Sequence, residues 1–321
     1  MGSVMEGKFL LYSTASSKHI EHQIKADNLF APNEYEVSQF PNGEPSISLR
    51  TPVAGKHIVI ISATVSDDDL LTLYRLGWTI HKYRARSLTI IIPCFGGATK
   101  DRTDKDSLDC VTAKAHADLI SAIPEMPYGN HVAILDCHTE GLPGYFANSV
   151  RGDHWYCETL ILEMIRRAAA NADFVLVSAD AGRAAWVSSY AAHLDVPTTA
   201  LLKVRTGAHT TVTQMTGDFR GKKVFIYDDY LRTGSTALGA MKQLMQLGAK
   251  SGSIFVSHGD FCGDVLDRAR SIPGLEHLYC LDTHPKAVKA HNSGLYEGFL
   301  EVQSVSPLIL NKLKEVAKSL I

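Results

Sequence analysis

Residues 224–236 read VFIYDDYLRTGST, an apolar run that leads into two carboxylates and then into a turn of hydroxyl groups and glycine. The apolar run predicts a buried β-strand. Leu238, Met241 and Met245 follow at helical spacing, and they predict a helix that ends at Gly248. The first turn of a helix offers unpaired backbone N–H groups and the positive end of the helix dipole, which together favour a phosphate. The stretch therefore predicts a strand–turn–helix unit of an α/β fold with an anion-binding turn.

The acidic and hydroxyl side chains of this stretch suit the two ends of a sugar phosphate. Thr233, Ser235 and Thr236 add hydroxyl donors for a phosphate, whereas Asp228 and Asp229 would repel it. The two carboxylates can instead accept hydrogen bonds from neighbouring sugar hydroxyls. The segment therefore predicts a ribose phosphate site. The alternative is that Thr233 or Ser235 only caps the helix and that both aspartates are solvated.

Short apolar runs recur along the rest of the chain and alternate with stretches of helical spacing. Several runs are nearly continuous in Val, Ile and Leu, which is typical of strands in a parallel sheet that is covered on both faces. The predicted fold class is therefore α/β, with two doubly wound, mainly parallel-sheet domains. The other predicted strands are residues 9–12, 57–62, 88–95, 131–135, 174–177, 199–204, 254–256 and 278–281, and two further helices lie near 111–123 and 155–170.

The length of the chain, 321 residues, predicts about two domains. Residues 141–153 form a polar, glycine-containing passage, and we expect the domain boundary there. We therefore predict an N-terminal domain over residues 1–148 and a C-terminal domain over residues 149–305. Apolar residues at helical spacing predict a last helix over residues 306–321, which would complete the N-terminal domain.

Composition and charge argue against several classes of protein. Lys and Arg total 32 and Asp and Glu total 34, so no global field attracts nucleic acid or an anionic membrane, and neither is an expected partner. No stretch approaches the ~20 apolar residues of a membrane span. The cysteines contain no C-x-x-C pair, which predicts reduced thiols and a cytoplasmic location. They lie at positions 94, 110, 137, 157, 262 and 280.

Residues 228–236, an acidic pair followed by a Thr-Gly turn, resemble the fingerprint of the type I phosphoribosyltransferase superfamily. Other segments resemble the ribose-phosphate diphosphokinases, also called phosphoribosyl diphosphate synthetases. Residues 40–44 (FPNGE) resemble their nucleotide-contacting loop, and residues 135–138 (LDCH) resemble their metal-histidine strand. Residues 177–182 (VSADAG) resemble a loop with an acidic residue near the metal, and residues 203–205 (KVR) resemble the catalytic flexible loop. The resemblance covers most of the chain.

This resemblance implies two type I phosphoribosyltransferase-like domains, with the nucleotide side in the N-terminal domain and the ribose 5-phosphate side in the C-terminal domain. It implies an enzyme that transfers diphosphate from ATP to the 1-hydroxyl of ribose 5-phosphate, with Mg²⁺ as cofactor. The products would be AMP and 5-phosphoribosyl 1-diphosphate, which would feed nucleotide biosynthesis. It also implies a homo-oligomer with the nucleotide site at a subunit interface.

The motifs and the resemblance together predict the residues of each site. The predicted catalytic residues are Lys203 and Arg205, before an expected lid over residues 206–211, and the predicted metal ligands are His138 and Asp180. The residues predicted to bind ribose 5-phosphate are Asp228, Asp229, Arg232, Thr233, Gly234, Ser235 and Thr236. The residues predicted to bind ATP are Phe40, Asn42, Glu44, Thr99, Lys100, Asp101 and Arg102.

Two positions depart from the commonest diphosphokinases. Thr99 stands where those enzymes carry an arginine, and Lys100 or Arg102 could take over its role. The sequence around Thr99 is closer to that of the plant-type second class, which is less selective for the nucleotide donor. Arg232 replaces an acidic residue and adds positive charge beside the phosphate.

Alternative interpretations stay open at this point. A base phosphoribosyltransferase would use the same acidic pair, and a catalytically silent, synthetase-like regulatory subunit would account for Thr99. Single residues have structural alternatives as well. His138 could be a core histidine, and Asp180 could cap the helix that follows it. Lys203 and Arg205 could be a solvated charge pair.

Overall fold

The secondary structure alternates between strands and helices throughout. The computed structural model describes residues 8–103, 107–206, 209–215 and 218–319, and it describes only the backbone of residues 181, 200–206 and 209–215. The strands are β1 (Phe9–Ser13), β2 (Tyr35–Gln39), β3 (Pro45–Leu49), β4 (His57–Ile61), β5 (Ser87–Ile92), β6 (Asn130–Leu135), β7 (Arg151–Trp155), β8 (Phe174–Ser178), β9 (Thr198–Thr206), β10 (His209–Met215), β11 (Lys223–Tyr230), β12 (Ser251–His258), β13 (Leu275–Leu281) and β14 (Leu300–Gln303). The helices are α1 (Lys18–Ile24), α2 (Asp67–Lys82), α3 (Thr112–Ser121), α4 (Glu158–Ala169), α5 (Ala184–Leu194), α6 (Ala237–Gln246), α7 (Val265–Arg270), α8 (Pro285–Asn292) and α9 (Ser306–Ser319). Among the described residues, no helix combines the length and the apolar character that crossing a membrane requires.

The chain divides into two compact units, and the first contains the residues up to Tyr156 and again those from Val305 onwards. Its larger sheet has the strand order β1-β4-β5-β6-β7, with every neighbouring pair parallel. All residues of β1, β4 and β5 are buried, as a sheet covered on both faces requires. β2 and β3 form a separate antiparallel hairpin. Helix α9 joins this unit, where Lys314 Nζ lies 2.7 Å from Asp27 Oδ2.

The second unit, residues Cys157 to Ser304, contains the sheet β10-β9-β8-β11-β12-β13-β14. The pairs from β9 to β14 are parallel, and β10 pairs antiparallel with β9. β11 lies between β8 and β12, and all of its residues from Val224 to Asp229 are buried. Because β8 and β11 are parallel neighbours, the segments that follow their carboxyl ends meet at one edge of the sheet.

These two sheets confirm the predicted α/β fold class. Several elements were not predicted from the sequence, and α2 is the longest of them. Its first turn is Asp67-Asp68-Asp69, a run that resembles a solvated loop. Three carboxylates are nevertheless favourable at this point because the helix dipole is positive there, and Ser66 Oγ accepts a hydrogen bond from the Asp69 N–H at 3.2 Å.

The loop expected after Arg205 is wrong for most of its length, whereas its role as a lid stays a prediction. β9 continues through Lys203 and Arg205 to Thr206, and β10 pairs back along it. Residues 207 and 208, which join the two strands, lie outside the described residues. Several residues of β10 are threonines, whose β-branched side chains favour extended backbone, so the polar composition of this segment concealed a strand.

A single glycine shapes the turn between β11 and α6. Gly234 has φ +75°, in the left-handed region that favours glycine. A Cβ atom at this position would lie 2.6 Å from Leu238 Cδ1 and 2.8 Å from Val265 Cγ2. Both neighbouring side chains are buried in the core of the second unit, so they have little room to move.

We predict that Gly234→Ala lowers the free energy of unfolding by about 2 kcal/mol or more, because it combines backbone strain with overpacking. Denaturant unfolding followed by circular dichroism measures the change. Gly239→Ala is the matched control, since a Cβ there meets no atom within 4 Å. Gly239 lies inside α6, so alanine should stabilise that variant by about 0.5–1 kcal/mol. Equal shifts in the two variants would contradict the prediction.

Candidate active site

The carboxyl end of β11 carries two buried carboxylates. Asp228 is 6% exposed and Asp229 is 3% exposed. The Asp229 N–H donates a hydrogen bond to Asp228 Oδ1 at 3.0 Å. Burial, then the charge of Asp229, and then that of Asp180 raise the pKa of Asp228 well above its usual value. The pair is therefore a buried acidic site rather than a solvated turn.

Arg183 supplies a cation to this site, and it was not predicted from the sequence. Its guanidinium Nη2 donates to Asp229 Oδ2, and both side chains are buried. Burial by itself lowers the pKa of Arg183, but the Asp229 carboxylate more than compensates and raises it above its ordinary value. The guanidinium carbon also lies 5.2 Å from the centre of the Trp186 ring.

Asp180 follows the neighbouring strand β8 and belongs to the same cluster. Its Oδ1 accepts hydrogen bonds from the backbone N–H groups of Gly182 at 2.9 Å and Arg183 at 3.3 Å. Asp180 thus stabilises the turn before α5, which agrees with the alternative that it caps the helix that follows it. Its charge nevertheless contributes to the raised pKa of Asp228. We call Asp180, Asp228 and Asp229 the acidic cluster.

The turn over residues 231–236, which we call the glycine turn, leads from the acidic pair into α6. The first hydrogen bond of the helix runs from the Leu238 N–H to the Gly234 carbonyl at 2.9 Å. Within the described part of the chain, the backbone N–H groups of residues 233–236 have no acceptor. Thr236 occupies the N-cap position, but its side chain makes no capping hydrogen bond. The donors of this turn are therefore open to an anion.

Two contacts hold the outer side of the glycine turn. Arg268 Nη2 donates to the Thr233 carbonyl at 2.6 Å, and the Cys262 N–H donates to the Arg232 carbonyl at 3.0 Å. The Arg232 side chain is half exposed, with Nε 3.3 Å from Asp260 Oδ2. Lys286 Nζ also approaches Asp260, at 2.6 Å from Oδ1. Two cations, Arg232 and Lys286, therefore lie beside the turn and share the carboxylate of Asp260.

In the first unit, Phe40, Asn42 and Glu44 lie together at the tip of the β2–β3 hairpin. The Phe40 N–H donates to the Glu44 carbonyl at 2.8 Å, and the Glu44 N–H donates to Asn42 Oδ1 at 3.1 Å. Gly43 has φ +84°, which closes the turn. The Phe40 side chain is 57% exposed, so its ring is available to a ligand.

Residues 99–102 follow β5 in the same unit. The Lys100 N–H donates to the Gly97 carbonyl at 2.8 Å, and the Lys100 carbonyl accepts from the Ala113 N–H at 3.2 Å. Tyr145 OH donates to the Asp101 carbonyl. Arg102 is exposed and forms no ion pair with another described residue. Its charge is available to an anion.

His138 lies beyond a strained turn at the end of β6. Asp136 is buried and has φ +39°, an uncommon conformation for a residue other than glycine. The Cys137 N–H donates to His154 Nε2 at 2.9 Å, so His154 Nδ1 carries the proton and faces Glu140 Oε2 at 3.2 Å. Tyr156 donates to the same carboxylate, and this hydrogen bond and then burial raise the pKa of Tyr156 to about 12.

The predicted site residues are distributed over both units. His138 belongs to the first unit and Asp180 to the second. The described residues contain no cluster of three or more His, Cys, Asp or Glu that could hold a metal ion. Lys203 and Arg205 lie on β9, but their side chains are outside the described structure.

Two family models match the chain. One, described as the N-terminal domain of ribose phosphate pyrophosphokinase, matches residues 9–123, and the phosphoribosyl transferase domain matches residues 156–272. Together they cover more than half of the chain. The chain belongs to the ribose-phosphate pyrophosphokinase family.

Relatives in this family align over most of their length. A ribose-phosphate pyrophosphokinase of Campylobacter jejuni is 28% identical over 311 residues, 96% of each protein. Ribose-phosphate pyrophosphokinase A of Dictyostelium discoideum is 29% identical over 277 residues, 85% of this chain and 84% of that protein. The crystal structure of phosphoribosylpyrophosphate synthetase from Mycobacterium smegmatis matches with a TM-score of 0.84 and 23% identity, covering 97% of this chain and 99% of that chain. The pyrophosphokinase fold is thus shared.

The raised pKa of Asp228 leads to a prediction about the stability of this protein at different pH values. A carboxyl whose pKa is raised by folding contributes stability below its unfolded pKa of about 3.9, and loses it as the pH rises through the folded pKa. Asparagine keeps the oxygen that accepts from Asp229 but carries no charge. Asp228→Asn should therefore melt at a higher temperature than the wild type at pH 8, and the difference should vanish near pH 4.

Melting temperatures measured across this pH range test the prediction. Asp218→Asn is the control, because Asp218 is 77% exposed and its ion pair with Lys222, at 3.9 Å, should contribute little. A wild type that is more stable than Asp228→Asn at pH 8 would show that the two buried carboxylates are well solvated or better paired than the structure indicates.

Proposed function

We propose that this chain transfers the β,γ-diphosphoryl group of ATP to the 1-hydroxyl of ribose 5-phosphate. One observation carries the proposal most directly. A single strand–turn–helix segment places a buried acidic pair beside backbone N–H groups that have no acceptor among the described residues. Ribose 5-phosphate has the hydroxyls and the phosphate that these two parts can bind, and the names of the relatives contain ribose phosphate.

The glycine turn would hold the 5-phosphate, and the acidic pair would hold the ribose. The N–H groups of residues 233–236 would donate to the phosphate oxygens, with the hydroxyls of Thr233, Ser235 and Thr236 as further donors. Asp228 and Asp229 would accept hydrogen bonds from the sugar hydroxyls. The half-exposed Arg232 would add charge at the outer side of the phosphate. This arrangement fixes the sugar at both ends.

The transfer is an in-line displacement at the β-phosphorus. The 1-oxygen of ribose forms the new bond, the bond from the β-phosphorus to the oxygen it shares with the α-phosphorus breaks, and AMP leaves. The 1-hydroxyl loses its proton to water, and the oxygen that leaves with AMP keeps the electrons of the broken bond. Positioning and charge neutralisation dominate such reactions. We propose that Lys203 and Arg205 on β9 neutralise the negative charge on the transferring diphosphoryl group.

The first unit would receive the nucleotide. The exposed ring of Phe40 offers a stacking surface for adenine, and Asn42 and Glu44 lie beside it on the hairpin tip. Residues 99–102 would contact the phosphates, with Lys100 and Arg102 as the cations. An exposed hairpin tip can reach a neighbouring molecule, so we propose a homo-oligomer in which this tip completes the site of the next subunit. A cytoplasmic location stays a prediction.

Magnesium is the proposed cofactor. Its preferred ligands are oxygens, and it is usually held by one or two carboxylates together with substrate phosphates and waters. The described residues provide no complete metal site, but Asp180 fits this donor chemistry, because its Oδ2 has no hydrogen bond within the described residues. The imidazole of His138 suits magnesium less well than an oxygen would. When bound, the ion would neutralise charge on the diphosphate.

A base phosphoribosyltransferase would also use the acidic pair and the glycine turn. The match of residues 9–123 to the N-terminal domain of ribose phosphate pyrophosphokinase favours the diphosphokinase reaction. A silent regulatory subunit would keep the fold without turnover. The pure protein, incubated with ribose 5-phosphate, ATP and Mg²⁺, should form AMP and 5-phosphoribosyl 1-diphosphate in equal amounts. The formation of neither product would reject the proposal.

Lys203 provides a test of the catalytic assignment. We predict that Lys203→Ala lowers kcat by about a hundred- to a thousand-fold, or about 3–4 kcal/mol, with small changes in both KM values. A cation that interacts mainly with charge developing at the β-phosphorus affects kcat more than binding. Lys222→Ala, at an exposed lysine of the same unit, is the control. Near wild-type turnover of Lys203→Ala would remove this residue from the mechanism.

Thr99 in place of an arginine predicts a looser grip on the nucleotide. GTP, CTP and UTP should therefore replace ATP with kcat/KM values within about tenfold. Steady-state rates with the four donors measure this, and Thr99→Arg should restore a preference for ATP. Strict dependence of the wild type on ATP would argue against the second-class assignment.

A further inference from the structure

Arg183 connects the carboxyl ends of two neighbouring strands. Its guanidinium binds Asp229 at the end of β11, while its backbone N–H donates to Asp180 after β8. One residue thus holds two members of the acidic cluster. The ion pair is well shielded, with 10% of the Arg183 side chain and 4% of the Asp229 side chain exposed. Shielding of this degree makes the loss of either partner severe, because the other charge would stay buried without compensation.

Aromatic side chains fix the position of this guanidinium. It lies 5.2 Å from the centre of the Trp186 ring, and that ring stacks on Tyr227 with an interplanar angle of 15°. Tyr190 also contacts Tyr227, with ring centres 4.9 Å apart. Tyr227 is fully buried, so the support of Arg183 is part of the core. The guanidinium is therefore held in place before any ligand arrives.

The contact makes the two aspartates unequal. Asp229 has a charged partner, whereas Asp228 forms no ion pair with any side chain that the structure describes. The acidic cluster also contains three carboxylates next to a turn that is open to an anion. Without a cation, their combined charge would repel a phosphate. Arg183 is the cation bound to this cluster in the described structure, and it offsets one of these charges.

We propose that Arg183 is a positioning residue for ribose 5-phosphate. It holds the Asp229 carboxylate in one orientation and leaves the Asp228 carboxyl to exchange hydrogen bonds with the sugar. It also limits the negative charge that the 5-phosphate meets as it approaches the glycine turn. This inference rests on the proposed function, since it names the residue that prepares the same site for its sugar substrate.

The test is the affinity for ribose 5-phosphate, measured by calorimetry without ATP. Methionine keeps an unbranched, largely apolar side chain but carries no charge, so Arg183→Met should raise the Kd at least about tenfold. The KM for ATP should change less than about twofold. Arg167→Met is the matched control, because Arg167 forms an exposed ion pair with Glu301 in the same unit. That variant should bind like the wild type.

A double-mutant cycle separates positioning from direct contact with the substrate. If Arg183 acts through Asp229, Arg183→Met should have little further effect on the Kd in an Asp229→Asn background. An effect that persists in full in that background would show that Arg183 itself binds the phosphate, and would overturn the proposal. Arg183→Lys keeps the charge, so it still tests the proposal if Arg183→Met does not fold. Its Kd should lie between those of the wild type and Arg183→Met.

The remaining outcomes distinguish the inference from the function on which it rests. A wild type that binds ribose 5-phosphate, together with Arg183→Met and Arg183→Lys variants of unchanged Kd, would overturn the inference alone. A lowered melting temperature with unchanged Kd would assign Arg183 a structural role only. A wild type that does not bind ribose 5-phosphate would overturn the inference and the proposed function together.

Discussion

Two adjacent carboxylates buried at the carboxyl end of β11 impose the main constraint on the second unit. Burial and mutual repulsion both oppose the charge of Asp228. The buried guanidinium of Arg183 compensates the charge of Asp229, and the Trp186 ring packs beside this guanidinium. A fold would not retain so unfavourable a group for stability alone, since apolar residues would pack there more favourably. The arrangement is instead typical of a binding site whose stability is reduced in favour of function.

The glycine turn complements the acidic pair at close range. Only a left-handed residue without a Cβ atom fits at Gly234, between Leu238 and Val265. In this turn, the N–H groups of residues 233–236 have no acceptor in the described chain. Acceptors for hydroxyls and donors for a phosphate thus come from one continuous segment. A sugar phosphate meets both requirements, which connects the local geometry to the pyrophosphokinase family.

The sequence predicts the parts of this site that depend on chain-local patterns. Asp228, Asp229 and the glycine turn are contiguous, so their arrangement follows from a strand, a turn and a helix. Arg183 could not be predicted in the same way, because it meets Asp229 only when β8 and β11 become neighbours in the sheet. Its one signal is a charged residue two positions before Ala185-Trp186-Val187, an apolar stretch. The β9–β10 pairing was hidden by its polar composition, and the roles of Lys203 and Arg205 stay predictions.

A crystal structure of the protein with ribose 5-phosphate tests the central claim most directly. We expect the phosphate oxygens to lie within hydrogen-bonding distance of the N–H groups of residues 233–236, with at least one ribose hydroxyl on the Asp228 carboxyl. Arg183 should stay on Asp229 in this complex. A phosphate bound instead between Arg232 and Lys286, with the ribose away from the acidic pair, would contradict it.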